Sequence, residues 1–266
     1  MMNLTLIGKT YREHWKSLVA WSSVIIFMVS IQMSIYPSFK KSGEAASQFL
    51  DSYPDAFKKI FRMDDYLSGP GFLGTELFSL MLPLVMIGIG VTWGANATAG
   101  EEDEGTADLL FTLPFSRAKI LLSKNAALVS ALCILAVITF LNVVLLRDIT
   151  NLEIGAINLI WACIQQLALG MTFGAIALVL GALTGRKGFT LGVSSGIGIV
   201  MFLFFSLTPL VDTFSFLTPI NPFAWTIGTN ILAEGPNYWG LLKLCFSSVF
   251  LYFLALMLLN KREIRS

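Results

Sequence analysis

The sequence predicts an all-α membrane protein with six transmembrane helices, and three observations carry that reading. Apolar residues make up 55% of the 266 positions and charged residues only 13%. Mean hydropathy is +0.74. Six charge-poor runs are each long enough to span a bilayer. Soluble domains carry about 25% charged residues, so this composition excludes an ordinary soluble fold and a disordered chain alike. A span needs roughly 20 apolar residues, so six use about half the chain and leave no room for a soluble catalytic domain.

Residues 1–266 read as one transmembrane domain. Over 3–17, Leu4, Ile7, Tyr11, Trp15 and Leu18 recur at three- and four-residue steps, with Lys9, Arg12, Glu13 and Lys16 between them. That is the pattern of an amphipathic interfacial helix, and equally of a basic flank that fixes orientation. The spans fall at about 18–37, 77–99, 125–146, 157–183, 189–211 and 238–260, counted as runs of about 20 residues. The first begins after 17 residues, has full span length and is followed by Tyr36-Pro37-Ser38, so it reads as uncleaved. The loop 38–72 carries a helical apolar rhythm (Phe49, Leu50, Phe57, Ile60, Phe61) broken at Pro54. Gly69-Pro70-Gly71 reads as the turn that closes it. Residues 213–233 are uncharged and long enough to span. Pro219, Pro222, Asn221 and Asn230 argue instead for an outer re-entrant or interfacial hairpin.

Charge sets the orientation. With six spans both termini share a side. Lys9, Arg12, Lys16, Arg117, Lys119, Lys124, Arg186, Lys187, Lys261, Arg262 and Arg265 then lie on that side, against Lys40, Lys41, Lys58, Lys59, Arg62 and Arg147 opposite. Lys243 would make the second group seven. The excess puts both termini in the cytoplasm. A net charge of +1 gives no reason to expect nucleic acid.

The functional residues are few. Cys133, Cys163 and Cys245 lie far apart in apolar runs, and His14 is the one histidine. That argues against a metal site and a Ser/His triad. Gln32, Asn96, Asn142, Gln165 and Gln166 are polar inside spans. They are candidates for a translocation path, and equally for hydrogen bonds between helices. No charge lies mid-span, which argues against an ion-coupled transporter. Gly90/Gly94, Gly170/Gly174, Gly181/Gly185 and Gly192/Gly196 mark close helix packing.

The most informative stretch is 101–117, between the second and third spans: Glu101-Glu102-Asp103-Glu104-Gly105-Thr106-Ala107-Asp108-Leu109-Leu110-Phe111-Thr112-Leu113-Pro114-Phe115-Ser116-Arg117. Acids cluster at the start of a short predicted helix, where the amino terminus favours negative charge. Leu109, Leu110 and Leu113 form an apolar patch and Pro114 ends the helix. Such a helix suits docking into a groove on a cytosolic partner, and the same residues would also make an acidic interfacial loop.

This stretch resembles the E-x-x-x-G-T-x-x-L-L-x-x-x-P-x-S-R signature of type-2 ATP-binding-cassette (ABC) exporter permeases. The match falls on Glu101, Gly105, Thr106, Leu109, Leu110, Pro114, Ser116 and Arg117. The likeness extends more weakly to the amphipathic start, the six spans, the long first outer loop and Leu217-Thr218-Pro219-Ile220-Asn221-Pro222-Phe223. It implies that 101–117 is the cytoplasmic coupling helix of a half-transporter. Glu101, Glu104 and Arg117 would then be polar contacts, Leu109, Leu110 and Leu113 apolar anchors, and Gly105-Thr106 and Pro114 would shape the helix ends. It further implies a separate ABC ATPase subunit in two copies, holding ATP and Mg²⁺, and a second permease chain, a homodimer being the simplest arrangement.

This chain itself is expected to bind no cofactor and to be no enzyme. Gly8-Lys9-Thr10 matches the end of a phosphate-binding loop, but Asn3 stands where the first glycine should be and no strand can precede it. The cargo class suggested by apolar spans is lipid-like, amphipathic or peptide. The alternative within the same resemblance is the permease of a maturation machine for an extracytoplasmic metalloenzyme. An ion-coupled secondary transporter and a membrane-embedded enzyme fit less well.

Overall fold

The computed structural model describes residues 4–63, 65–103, 105 and 116–261. Every regular element among them is helical. Six of the helices are long and apolar enough to cross a membrane.

α1, Leu4–Lys41, is one helix of 38 residues. At 1.5 Å per residue it is about 57 Å long, roughly twice the hydrocarbon thickness of a bilayer. The separate in-plane helix expected over 3–17 is therefore the first part of α1. Its contacts explain the continuity. Tyr11 Oη lies 2.7 Å from Ser130 Oγ, and the Tyr11 and His14 rings meet Trp93 edge-on. These residues pack on neighbouring helices, and no proline interrupts them.

Two short helices follow, α2 (Gly43–Asp51) and α3 (Asp55–Phe61), separated at Pro54 as the rhythm predicts. Arg62, in the left-handed conformation at φ 53°, ends α3. Its Nη1 donates to the carbonyls of Ile227 and Gly228, and its guanidinium lies 4.2 Å from the Phe205 ring centroid. This one side chain ties the loop to the far end of the chain.

α4, Gly69–Asp103, is longer than the expected span. Gly69-Pro70-Gly71, expected as a turn, instead starts this helix: Ser68 caps it by accepting from the Gly71 amide, with Pro70 in the first turn. Proline is tolerated there because the first amides need no helical partner. Two stretches of α4, Gly74–Met81 and Asn96–Gly100, widen into π turns. Such turns frequently accompany functional sites.

α5 (Arg117–Arg147) begins at Ser116, whose hydroxyl accepts from the Lys119 amide. α6 (Ala156–Thr184) ends at Gly185, which caps it in the left-handed conformation. α7 is Lys187–Leu207, four residues shorter at its end than expected. The expected hairpin 213–233 is a 3₁₀ stretch (Asp212–Ile220) and two short helices, α8 (Pro222–Ile227) and α9 (Ile231–Glu234). Asn221 caps α8 and anchors it, donating from Nδ2 to the Met201 carbonyl at 2.8 Å. Phe223, Ile227 and Leu232 are buried, so the segment folds back on the bundle. α10, Tyr238–Lys261, closes the described chain.

α6 is the central helix, packed between α4 and α10, while α1 lies along α5. The glycine pairs explain the centre. A Cβ on Gly90 would strike the Gly170 carbonyl oxygen, and one on Gly94 the Gly174 carbonyl oxygen. The two backbones therefore touch without side chains between them. Gly192 and Gly196 of α7 face open space instead. Large apolar side chains such as Phe27, Leu145, Phe246 and Met257 remain exposed on the outer faces, as helices that meet lipid or another chain require.

Candidate functional site

Of the residues singled out in 101–117, Glu101 lies in the last turn of α4, and Ser116 and Arg117 lie at the start of α5. Glu104, Thr106, Leu109, Leu110, Leu113 and Pro114 lie outside the described residues. Gly105 is described, with φ +68°, the left-handed conformation that glycine adopts without strain.

Glu101, Glu102 and Asp103 continue a helix and do not start a new one; they form the last turn of α4. A helix carboxyl terminus disfavours negative charge, so these acids need cations. Lys124 supplies the nearest: its Nζ donates to Glu101 Oε1 at 2.8 Å, with 9% and 11% of the two side chains exposed. Lys9 of α1 approaches the same oxygen at 3.6 Å from a half-exposed position. Glu101 thus joins α4 to α5 and α1.

Arg117 makes the matching attachment at the other end of the segment. Its Nη1 donates to the Leu259 carbonyl at 2.7 Å, in the last turn of α10. Both Glu101 and Arg117, expected as polar contacts to a partner, are engaged within the chain. Ser116 is exposed and caps α5. Glu101 and Arg117 together reach α1, α4, α5 and α10.

A cavity of about 100 Å³ sits beside the ion pair, lined by Lys9, His14, Trp93, Asn96, Glu101 and Lys124 among others. Trp93 Nε1 and His14 Nδ1 are buried and find no hydrogen-bond partner among the described residues. The cavity is polar and large enough to take several waters. Asn96 belongs here, on the π turn Asn96–Gly100.

The structure does not gather the five intramembrane polar residues on one surface. Asn142 Nδ2 donates to the Ile26 carbonyl, joining α5 to α1. Gln165 Nε2 donates to the Asn237 carbonyl and Gln166 Nε2 to the Phe78 carbonyl, at 2.7 and 2.6 Å. Gln166 thereby serves an acceptor within the first π stretch of α4. Gln32 is buried on α1, with Nε2 3.5 Å from Met81 Sδ. Asn142 and Gln166 make interhelical hydrogen bonds to backbone carbonyls, one of the two roles the sequence allowed, and Gln165 bonds a carbonyl just before α10.

Lys124, Lys9 and Trp93 were not singled out as site residues by their sequence. Lys124 read only as a charge at a membrane boundary. The available signal was chemical: an acidic run in a last helical turn needs a cation, and Lys124 lies one helix away.

Comparison with known proteins fits this geometry. The family model described as "ABC-2 family transporter protein" matches residues 4–264. The chain belongs to the ABC-2 transporter family. Its all-helical build with six candidate spans suits a multi-pass ABC-2 half-transporter. It is also similar to the "Probable ABC transporter permease protein NosY" of Stutzerimonas stutzeri, 29% identical over 141 residues. That match covers 51% of this chain and 49% of the relative, so the chain matches about half the length of the curated relative.

Proposed function

We propose that this ABC-2 chain is the membrane-spanning permease subunit of an ATP-driven exporter. It forms the translocation path, and a separate ATPase drives it through the segment 101–117. The supporting observation is the double anchorage of that segment. Glu101 is clamped to Lys124 of α5 and Lys9 of α1, and Arg117 to the end of α10. Force applied between these anchors reaches four of the six long helices directly.

In this reading both termini and the 101–117 segment face the bacterial cytoplasm, as the basic excess at that end requires. ATP and Mg²⁺ bind the partner, present in two copies, and a second copy of this chain completes the path. Leu109, Leu110 and Leu113 enter a groove on the ATPase, with Glu104 as the polar contact. Glu101 serves inside the permease, holding α4 and α5 so that the segment moves with them.

Co-purification tests the proposal. The chain is tagged at Ser266, extracted from its native host in mild detergent, and its companions are identified. A near-equimolar ATPase with a phosphate-binding loop is expected, and Leu109→Asp with Leu110→Asp should release it while the permease stays inserted. A clean oligomer of this chain alone, even after crosslinking, overturns the reading.

A further inference from the structure

At the end of the bundle opposite Glu101, a groove of about 420 Å³ opens between the second half of α1, the α2–α3 pair and the start of α4. Its volume lies within the range of small-molecule pockets, about 300–1,000 Å³. Its wall is aromatic, with Phe39, Phe49, Tyr53, Phe57, Phe61 and Tyr66 among the lining residues. The rings form a continuous series. Phe49 meets Tyr53 edge-on at 5.2 Å between centroids, Tyr53 stacks on Phe57 at 4.9 Å, and Phe57 lies 4.5 Å from Phe61. Phe49 and Phe57 are nevertheless 56% and 38% exposed, so this series is a surface and not a core.

One charged residue lines the groove, Glu76 of α4. Tyr66 Oη donates to its Oε1 at 2.5 Å. Burial and the adjacent carboxylate push the Tyr66 phenol up, so it stays protonated and remains a donor. Among the described residues no Lys or Arg pairs with Glu76, and none lines the groove. Nearby cations point elsewhere: Lys58 pairs with Asp51, and Arg62 reaches α8.

A carboxylate set among π faces has a defined preference. Aromatic faces carry negative potential and attract cations. The carboxylate adds a full charge of the same sign, so the groove repels anions and gives neutral ligands nothing beyond area. A compact ammonium keeps its water, whereas a cation with a large apolar body can satisfy rings and carboxylate together. We propose that this groove is a binding site for lipophilic organic cations, molecules that carry one positive charge on an aromatic or alkylated body. The site rests on its own geometry and does not require the exporter reading.

Two probes of matched shape and opposite charge test it, tetraphenylphosphonium and tetraphenylborate. Radiolabelled binding is measured on the full chain in lipid nanodiscs, with empty nanodiscs to subtract partitioning. Saturable tetraphenylphosphonium binding is expected, weakened at least tenfold by Glu76→Gln, with no saturable tetraphenylborate binding. Phe57→Leu, on the exposed face of α3, should weaken it several-fold and decides the matter should Glu76→Gln fail to fold. Equal binding of both probes, binding unchanged in a folded Glu76→Gln or in Phe57→Leu, or no saturable binding of the cation overturns the proposal. Loss of the ATPase partner in the co-purification, with cation binding intact, would sink only the exporter reading.

Discussion

Replacing either member of the Glu101–Lys124 pair by methionine should give unequal losses, and replacing both should recover part of the loss. At 2.8 Å and an effective dielectric of about 20, the charges attract by about 6 kcal/mol. Desolvating each ion costs several kcal/mol, so the intact pair contributes little net stability. Removing one partner is different, because about 3–5 kcal/mol is lost when a buried charge remains without its partner. Glu101→Met leaves a buried ammonium whose nearest carboxylate is gone. Lys124→Met leaves Glu101 within 3.6 Å of Lys9, which already shares its oxygen. Glu101→Met should therefore be the more damaging, and the double variant should be more stable than the sum of the two losses predicts. The assay is an unfolding titration in SDS-containing mixed micelles on all four proteins, analysed as a double-mutant cycle. Strict additivity, or a Lys124→Met loss larger than that of Glu101→Met, would refute the argument that the pair is buried and that Lys9 is its reserve.

Other outcomes follow from contacts elsewhere. Arg117→Ala removes a charge-assisted hydrogen bond worth about 1.5–3 kcal/mol; stimulated ATPase activity of the reconstituted complex should fall while membrane insertion, followed by protease protection, is unchanged. Gly90→Ala should cost about 1–3 kcal/mol through overpacking, whereas Gly192→Ala, whose Cβ meets nothing within 4 Å, should be neutral; the yield of monodisperse protein on gel filtration separates the two. Gln166→Leu strands the Phe78 carbonyl and should cost about 0.6–2 kcal/mol, visible as a lower midpoint in the same SDS titration.

The six spans were legible because apolar runs of that length have few other uses. Their ends were less so. Gly69-Pro70-Gly71 carries the composition of a turn, yet proline suits a first helical turn equally well, and the Ser68 cap decided between them. The continuation of α1 through residues 4–17 depends on Tyr11 and His14 finding Trp93, a contact between distant positions that no local pattern encodes. For the candidate site, sequence reversed the helical context of Glu101, Glu102 and Asp103, because a charge run looks alike at the start and the end of a helix. Lys124, the partner of Glu101, lies 23 residues away. The glycine pairs show the same limit: one spacing yields backbone contact at Gly90 and Gly94 and open space at Gly192 and Gly196.

The contact of α4 with α6 through bare backbone bears on how such a protein can change. Side chains at an interface can swap rotamers and absorb a shift, whereas touching peptide groups have no such slack. The two helices should therefore travel as a keel, and opening and closing must be carried by the helices around them. Adaptation meets the same constraint. Substitution is open on α1, α7 and α10, whose large side chains are exposed, but Gly90 and Gly94 are closed to any side chain at all.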